Sequence, residues 1–246
     1  MCEEYGELST MLYEHTKPAG YSIDGDIEYY LRKLGGVSGR ILEAGVGTGR
    51  VLIPLVKGGL TVDGVDASEK MLKQCKANLA EHGILADLYE QDLTALSLPH
   101  KYEAIIMPTG SFCLLPKAHV RDILAGFYNH LVEGGRLIVD LEIPVDFREG
   151  DVTISNFSLS DDTDLVLTSS SEKIDRLTQK ISYINKYELV EHNEVTRTEV
   201  SDFVLYWYEV TEFEVLLAQA GFEHIEHEAG YGSGQSHIIT FIAFRA

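Results

Sequence analysis

The chain has 246 residues, and 20 Lys and Arg against 39 Asp and Glu leave a formal net charge of −19. That field repels phosphate backbones and argues against nucleic acid as a partner, while 45% hydrophobic and 24% charged residues give an ordinary globular balance with room for one sizeable core. No run approaches the roughly 18 apolar residues of a membrane helix, and the start, MCEEYGELST, lacks the basic and apolar regions of a signal peptide, so a cytoplasmic protein with no membrane partner is expected.

In chain order, Ile27, Tyr30, Leu31 and Leu34 fall at helical spacing and Gly35-Gly36 follows as a stop, predicting an amphipathic helix. The short run Ile41-Leu42 then enters a glycine turn, after which Val51, Leu52, Leu55 and Val56 return to helical spacing. The unit repeats. Leu60 to Val65 reads as a second strand, and Ser68 as the N-cap of a helix burying Met71, Leu72, Cys75 and Leu79. Residues 86–89 and 104–107 fit strands three and four. The next helix presents Val120, Ile123, Leu124, Phe127 and Leu131, with Gly134 and Gly135 expected to close it before a fifth strand over 137–141. Such alternation predicts a parallel sheet.

Past Pro144 the texture changes. Residues 152–207 are rich in Thr, Ser, Val, Ile and Tyr and hold no Pro or Gly, predicting an antiparallel β insertion. Thr211 and Glu214 have capping-box spacing ahead of a helix that Gly221 ends, and 222–227 and 236–244 read as two last strands.

Chemistry concentrates in ILEAGVGTGR. Gly45, Gly47 and Gly49 let the backbone turn sharply and approach a ligand. Asp66 ends the second strand 21 residues after Gly45, a spacing that suits a carboxylate on a ribose. Glu43, just before the turn, would repel a pyrophosphate but attract an ammonium or sulfonium, and GxGxG is not the dinucleotide GxGxxG. Both features favour S-adenosylmethionine over NAD.

Together with VDGVDASEKML, Gln91-Asp92-Leu93 and HLVEGGRLIVD, this run resembles the class I S-adenosylmethionine-dependent methyltransferases, in their small-molecule (methyltransferase type 11/25-like) branch. The resemblance covers residues 26–143 and returns at Ala220-Gly221-Phe222. It implies an α/β fold, a Rossmann-like doubly wound seven-stranded sheet in order 3-2-1-4-5-7-6 with strand 7 antiparallel. It also implies that Glu43, Gly45 and Gly47 line the methionine side of the cofactor and Asp66 its ribose. Ala67 and Met71 would line the adenine, Asp92 and Leu93 the adenine edge, and Pro108 to Ser111 would follow strand four beside the methyl group. In place of the Asn-Pro-Pro-Tyr-like tetrapeptide of many nucleic-acid and protein methylating enzymes, the chain has Met107-Pro108-Thr109-Gly110, which points to a small-molecule acceptor such as an amine.

The aromatics Tyr5, Tyr13 and Tyr21 could close over the sulfonium or simply pack a helix. Three scattered cysteines, Cys2, Cys75 and Cys113, and nine histidines without an HExxH pattern give no metal site. His119, His192 and His237 are candidate bases, although an activated methyl donor need not use one. The expected organisation is a single domain over 1–246, with a helical cap over 1–36 and the insertion over 152–207 as an acceptor lid, and with Tyr183, Tyr206 and Tyr208 as aromatic candidates for contacting the acceptor. A homodimer interface remains an alternative role for the insertion, and a noncatalytic S-adenosylmethionine-binding subunit an alternative function. Asp66→Ala is expected to weaken cofactor binding and leave the fold intact, as read by calorimetry beside circular dichroism.

Overall fold

The computed structural model describes residues 5–232 and 237–246; Cys2 and Ser236 lie outside them. The elements run α1 (Glu7–Thr16), α2 (Asp26–Lys33), β1 (Arg40–Ala44), α3 (Leu52–Lys57), β2 (Thr61–Asp66), α4 (Glu69–Glu81), β3 (Leu88–Glu90), β4 (Tyr102–Met107), α5 (Val120–His130) and β5 (Leu131–Glu142). There follow β6 (Val152–Ser160), β7 (Thr163–Asp175), β8 (Lys180–Glu191), β9 (Glu194–Tyr206), α6 (Val210–Gln219), β10 (Phe222–Ala229) and β11 (Ile238–Arg245). Among the described residues no helix is long and apolar enough to cross a membrane.

The chain divides into two units, Ala19–Ile143 with Trp207–Ala246, and Met1–Pro18 with Pro144–Tyr206. The larger holds a seven-stranded sheet in order β10-β11-β5-β4-β1-β2-β3. Strands β1 to β5 pair in parallel, and β11 runs antiparallel to both β5 and β10. This is the expected order with β10 and β11 as its sixth and seventh strands. Central strands are apolar on both faces because helices cover both: Ile41, Leu42, Ala104, Ile105 and Ile106 are fully buried. Helix α4 starts where Ser68 Oγ accepts a bond from Met71 N and buries the Met71, Leu72, Cys75 and Leu79 stripe read from the sequence.

Two local expectations are corrected. Gly134 and Gly135 do not close α5, which ends at His130; they lie inside β5. There the pairing with β4 jumps from Tyr102↔Leu131 to Ala104↔Arg136, so the glycines serve a bulge, with Gly134 at φ 72°. The capping box of α6 is made by Glu209 and Glu212, two residues before Thr211 and Glu214, because the chain enters this helix from the extended backbone of Glu209.

The smaller unit is the antiparallel meander β6-β7-β8-β9. Leu8 and Leu12 of α1 pack with Leu165, Tyr187 and Leu189 of its strands. Gly6, the N-cap of α1, offers no side chain, and Glu199 of β9 substitutes: its carboxylate accepts from Leu8 N at 2.9 Å, Ser9 N at 3.1 Å and Ser9 Oγ at 2.7 Å. Orphan N–H groups and the positive end of the helix dipole favour a carboxylate there. The segment 1–36, expected as one helical cap, is therefore split: α1 belongs with the four-stranded sheet and α2 with the seven-stranded one. Glu199→Ala should accelerate amide hydrogen exchange across residues 7–16 by tenfold or more, a loss of about 1.5 kcal/mol or above, while exchange in β1 and β4 stays unchanged.

Candidate active site

In open parallel sheets, ligands bind outside the carboxyl ends of the strands. There the turn from β1 to α3 is drawn onto β2: the N–H groups of Gly45 and Val46 both donate to Val65 O, at 2.8 and 3.0 Å. Gly45 and Gly47 take φ of 71° and 54°, a region costly to any residue with a Cβ. A Cβ on Gly45 would lie 3.4 Å from Met107 Cε and 3.7 Å from Ser111 Cβ, so the segment after β4 flanks the turn; one on Gly47 would meet nothing within 4 Å. Gly49 has a different reason, since its Cβ would stand 2.9 Å from Cys75 Sγ of α4.

Carboxylates gather at this edge. Asp66, ending β2, accepts from Gly47 N at 2.8 Å and Ser68 N at 2.9 Å, and burial pushes its pKa up against those bonds. Glu43 is 3% exposed, and its Oε2 has no hydrogen-bond partner among the described residues. Burial, opposed by Arg50 and reinforced by Asp26 and Asp66, pushes Glu43 up to about 8. Asp26, at the start of α2, is buried in an ion pair with Arg50, Nη2 to Oδ2 at 2.6 Å. Arg50 also donates to Tyr21 O at 2.8 Å and Thr109 Oγ1 at 2.7 Å. Asp140, buried in β5, is pushed up to about 6 by desolvation although it accepts bonds from Thr240, Thr109 and Tyr231.

Glu43, Gly45, Gly47, Asp66 and Pro108 thus lie at the carboxyl edge of one sheet. Ala67 is exposed just past Asp66, and Met71 is buried in the first turn of α4. Asp92 caps a short 3-10 turn by accepting from Thr94 N at 2.8 Å, with Leu93 buried behind it. Tyr21 is 52% exposed and contributes a backbone oxygen to Arg50. Tyr13 belongs to α1 in the smaller unit, where Lys17 Nζ sits 5.2 Å from its ring centroid.

The candidate bases His119 and His237 are exposed, and His192 is in the β8–β9 turn of the smaller unit. Tyr208, expected as an acceptor contact, is 2% exposed and packs between Phe112 and Phe213. The sequence reading included Thr109 within the segment after strand four and missed Asp26, Arg50, Asp140 and Tyr231 as site residues. An acid inside the apolar run Leu137 to Leu141 was the one available signal for Asp140. One group with metal-ligand reach occurs among the described residues, Asp63, Asp87 and His100 within 4.8 Å of one another, and Arg40 Nη1 pairs with both its carboxylates.

Residues 41–135 match the methyltransferase domain family. Over this segment the chain is similar to that family. A Geobacillus sp. (strain WCH70) protein assigned by name to the methyltransferases is 32% identical over 107 residues, 42% of this chain and 42% of that protein; the match thus spans under half of the relative's length. Among solved structures, the sugar N-methyltransferase KedS8 from a Streptoalloteichus species is 21% identical with a TM-score of 0.80, covering 100% of this chain and 95% of that one. CalS10 from Micromonospora echinaspora, an amino pentose methyltransferase solved with S-adenosylmethionine bound, is 19% identical with a TM-score of 0.74 and 99% coverage of both chains. At these identities the likeness is one of fold, a Rossmann-like α/β fold with an additional antiparallel sheet.

The charges of residues 41–135 have two consequences. Glu43 has a folded pKa above its unfolded value, so it supports folding below about pH 4.5 and loses that contribution as pH rises toward about 8. Glu43→Gln carries no such proton, and its melting temperature relative to the parent should climb between pH 5 and pH 8; a constant difference contradicts the buried, desolvated carboxylate. Because Asp66 also ties down Gly47 and Ser68, Asp66→Ala should lower thermal stability as well as cofactor affinity, which revises the expectation that the substitution leaves the fold intact. Differential scanning calorimetry of the ligand-free variant checks this.

Proposed function

We propose that the protein is an S-adenosylmethionine-dependent methyltransferase acting on nitrogen or oxygen of a small molecule, with an amine as the favoured acceptor. The observation that carries the reading is the charge at the glycine turn. Glu43 feels the charges of Arg50, Asp26 and Asp66, Arg50 is already paired with Asp26, and Glu43 Oε2 is buried without a partner among the described residues. Such a site attracts a cation and repels a pyrophosphate. Glu43, Gly45, Gly47 and Asp66 would hold the cofactor, the carboxylates toward its cationic and hydroxyl groups, and the open space beside Gly47 admits it.

S-adenosylmethionine, held by Glu43, Gly45, Gly47 and Asp66, would supply an activated methyl group on a sulfonium, with S-adenosylhomocysteine as the leaving group. What this chain must then supply is orientation and charge rather than a base, because the neutral form of an amine carries its own lone pair. The net charge of −19 raises the local concentration of cationic amines, whose proton would pass to solvent before attack. Two fold neighbours bear names of sugar and amino pentose methyltransferases, which supports the same class. We place acceptor recognition in the four-stranded sheet, which the chain enters after the carboxyl end of β5, with Tyr183 and Tyr206 as its aromatic candidates.

The test is methyl transfer from labelled S-adenosylmethionine to a panel of amines, amino sugars, hydroxy acids and sugars. Transfer to an amine is the expected result; S-adenosylmethionine binding without transfer to any class favours a noncatalytic binding subunit. Replacement of residues 152–206 by a short Gly-Ser linker should keep S-adenosylhomocysteine binding and abolish transfer. A folded replacement that methylates at the parent rate removes the sheet from acceptor recognition.

A further inference from the structure

Two non-glycine residues with left-handed backbone meet on one buried carboxylate. Thr109 (φ 58°) follows β4, and Tyr231 (φ 53°) lies in the turn between β10 and β11. A β-branched residue such as Thr rarely takes that backbone, and outliers of this kind persist only where their surroundings hold them. Here both donate to Asp140 Oδ2, Thr109 through its backbone N–H at 2.7 Å and Tyr231 through its hydroxyl at 2.9 Å. Thr240 Oγ1 donates to the other oxygen at 2.6 Å. On its far side Thr109 is gripped again, its Oγ1 accepting from Arg50 Nη2 at 2.7 Å.

Asp140 is fully buried and cannot touch a substrate. Its reach is through Thr109, whose neighbours Met107 and Ser111 stand against Gly45 of the glycine turn. We infer that Asp140 is a positioning residue for the transfer step: it clamps the segment from Pro108 to Ser111 in a strained shape against the glycine turn, and ties that shape to the β10–β11 turn through Tyr231. This rests on the methyl-transfer reading above. The clamp spans three strands of the same sheet, β4, β5 and β11, so it fixes the segment relative to a rigid body rather than to another loop.

The substitutions separate clamping from mere stability. An Asn at position 140 can turn its Oδ1 toward Thr109 N–H and the Tyr231 hydroxyl and its amide N–H toward Thr240 Oγ1, which can accept. An Ala leaves all three donors unanswered. Asp140→Asn should therefore retain kcat within about threefold, and Asp140→Ala should lose about tenfold or more in kcat, the order expected of a sub-ångström misplacement, with the Kd for S-adenosylhomocysteine little changed. Adding Thr109→Gly to Asp140→Ala should recover part of the kcat, because glycine takes φ near 58° without the clamp.

An Asp140→Ala enzyme with parent kcat overturns the inference, as does an Asn variant as impaired as Ala, or a double variant with no recovery. Amide hydrogen exchange at Thr109 supplies a readout independent of turnover. It should be slow in the parent and in Asp140→Asn and fast in Asp140→Ala; equal rates in all three overturn the clamp. If the parent methylates no acceptor of any class, the proposed function fails by itself, and the exchange rates still decide the clamp.

Discussion

Everything at the cofactor edge depends on one buried ion pair, Arg50 with Asp26. Neither side chain is more than 3% exposed, and charges so placed persist only when their remaining hydrogen-bonding capacity is met. Asp26 Oδ1 accepts from the N–H groups of Ile23 and Ile27, both at 2.8 Å, and Arg50 reaches Tyr21 O and Thr109 Oγ1. Four pieces of chain are fixed by this pair: the residues before α2, the first turn of α2, the exit from the glycine turn and the segment after β4. Glu43 then sits beside a guanidinium already committed to another carboxylate. Burial wins over that attraction and lifts its pKa to about 8, leaving an acid that gains most from a cationic ligand.

The same geometry explains why two functions of the glycine turn can be told apart. Gly45, Gly47 and Gly49 all have left-handed backbones; Gly45 and Gly47 face the segment after β4 and open space, and Gly49 is in addition packed against α4. One sequence motif thus combines a turn proposed for a ligand with a helix contact. Asp66 has a comparable double role, organising Gly47 and Ser68 with the carboxylate assigned to the cofactor.

What the sequence made legible was local. The glycine turn, the acid ending β2, the Ser68 cap and the helical stripe of α4 are set by residues within one turn or one strand of each other, and periodicity and capping chemistry report such relations directly. The β5 bulge escaped because Gly134-Gly135 after a helix normally signals its end; only the pairing with β4 shows otherwise. The partners of Asp140 stand 31, 91 and 100 residues away, and Glu199 caps a helix 190 residues before it. No spacing rule reaches that far. Tyr208, expected from the sequence to contact the acceptor, is core because Phe112, Phe213 and Phe241 form an aromatic cluster around the start of α6.

A cation-seeking cofactor site at the carboxyl edge of β1 and β2 makes a direct thermodynamic demand. Isothermal titration of the full chain with S-adenosylmethionine and, separately, NAD, each at pH 7 in buffers of different ionisation enthalpy, tests it most directly. The account predicts that S-adenosylmethionine binds with proton release, as Glu43 ionises against the ligand's positive charge, and that NAD does not bind. NAD binding, or S-adenosylmethionine binding with no net proton release, would contradict it.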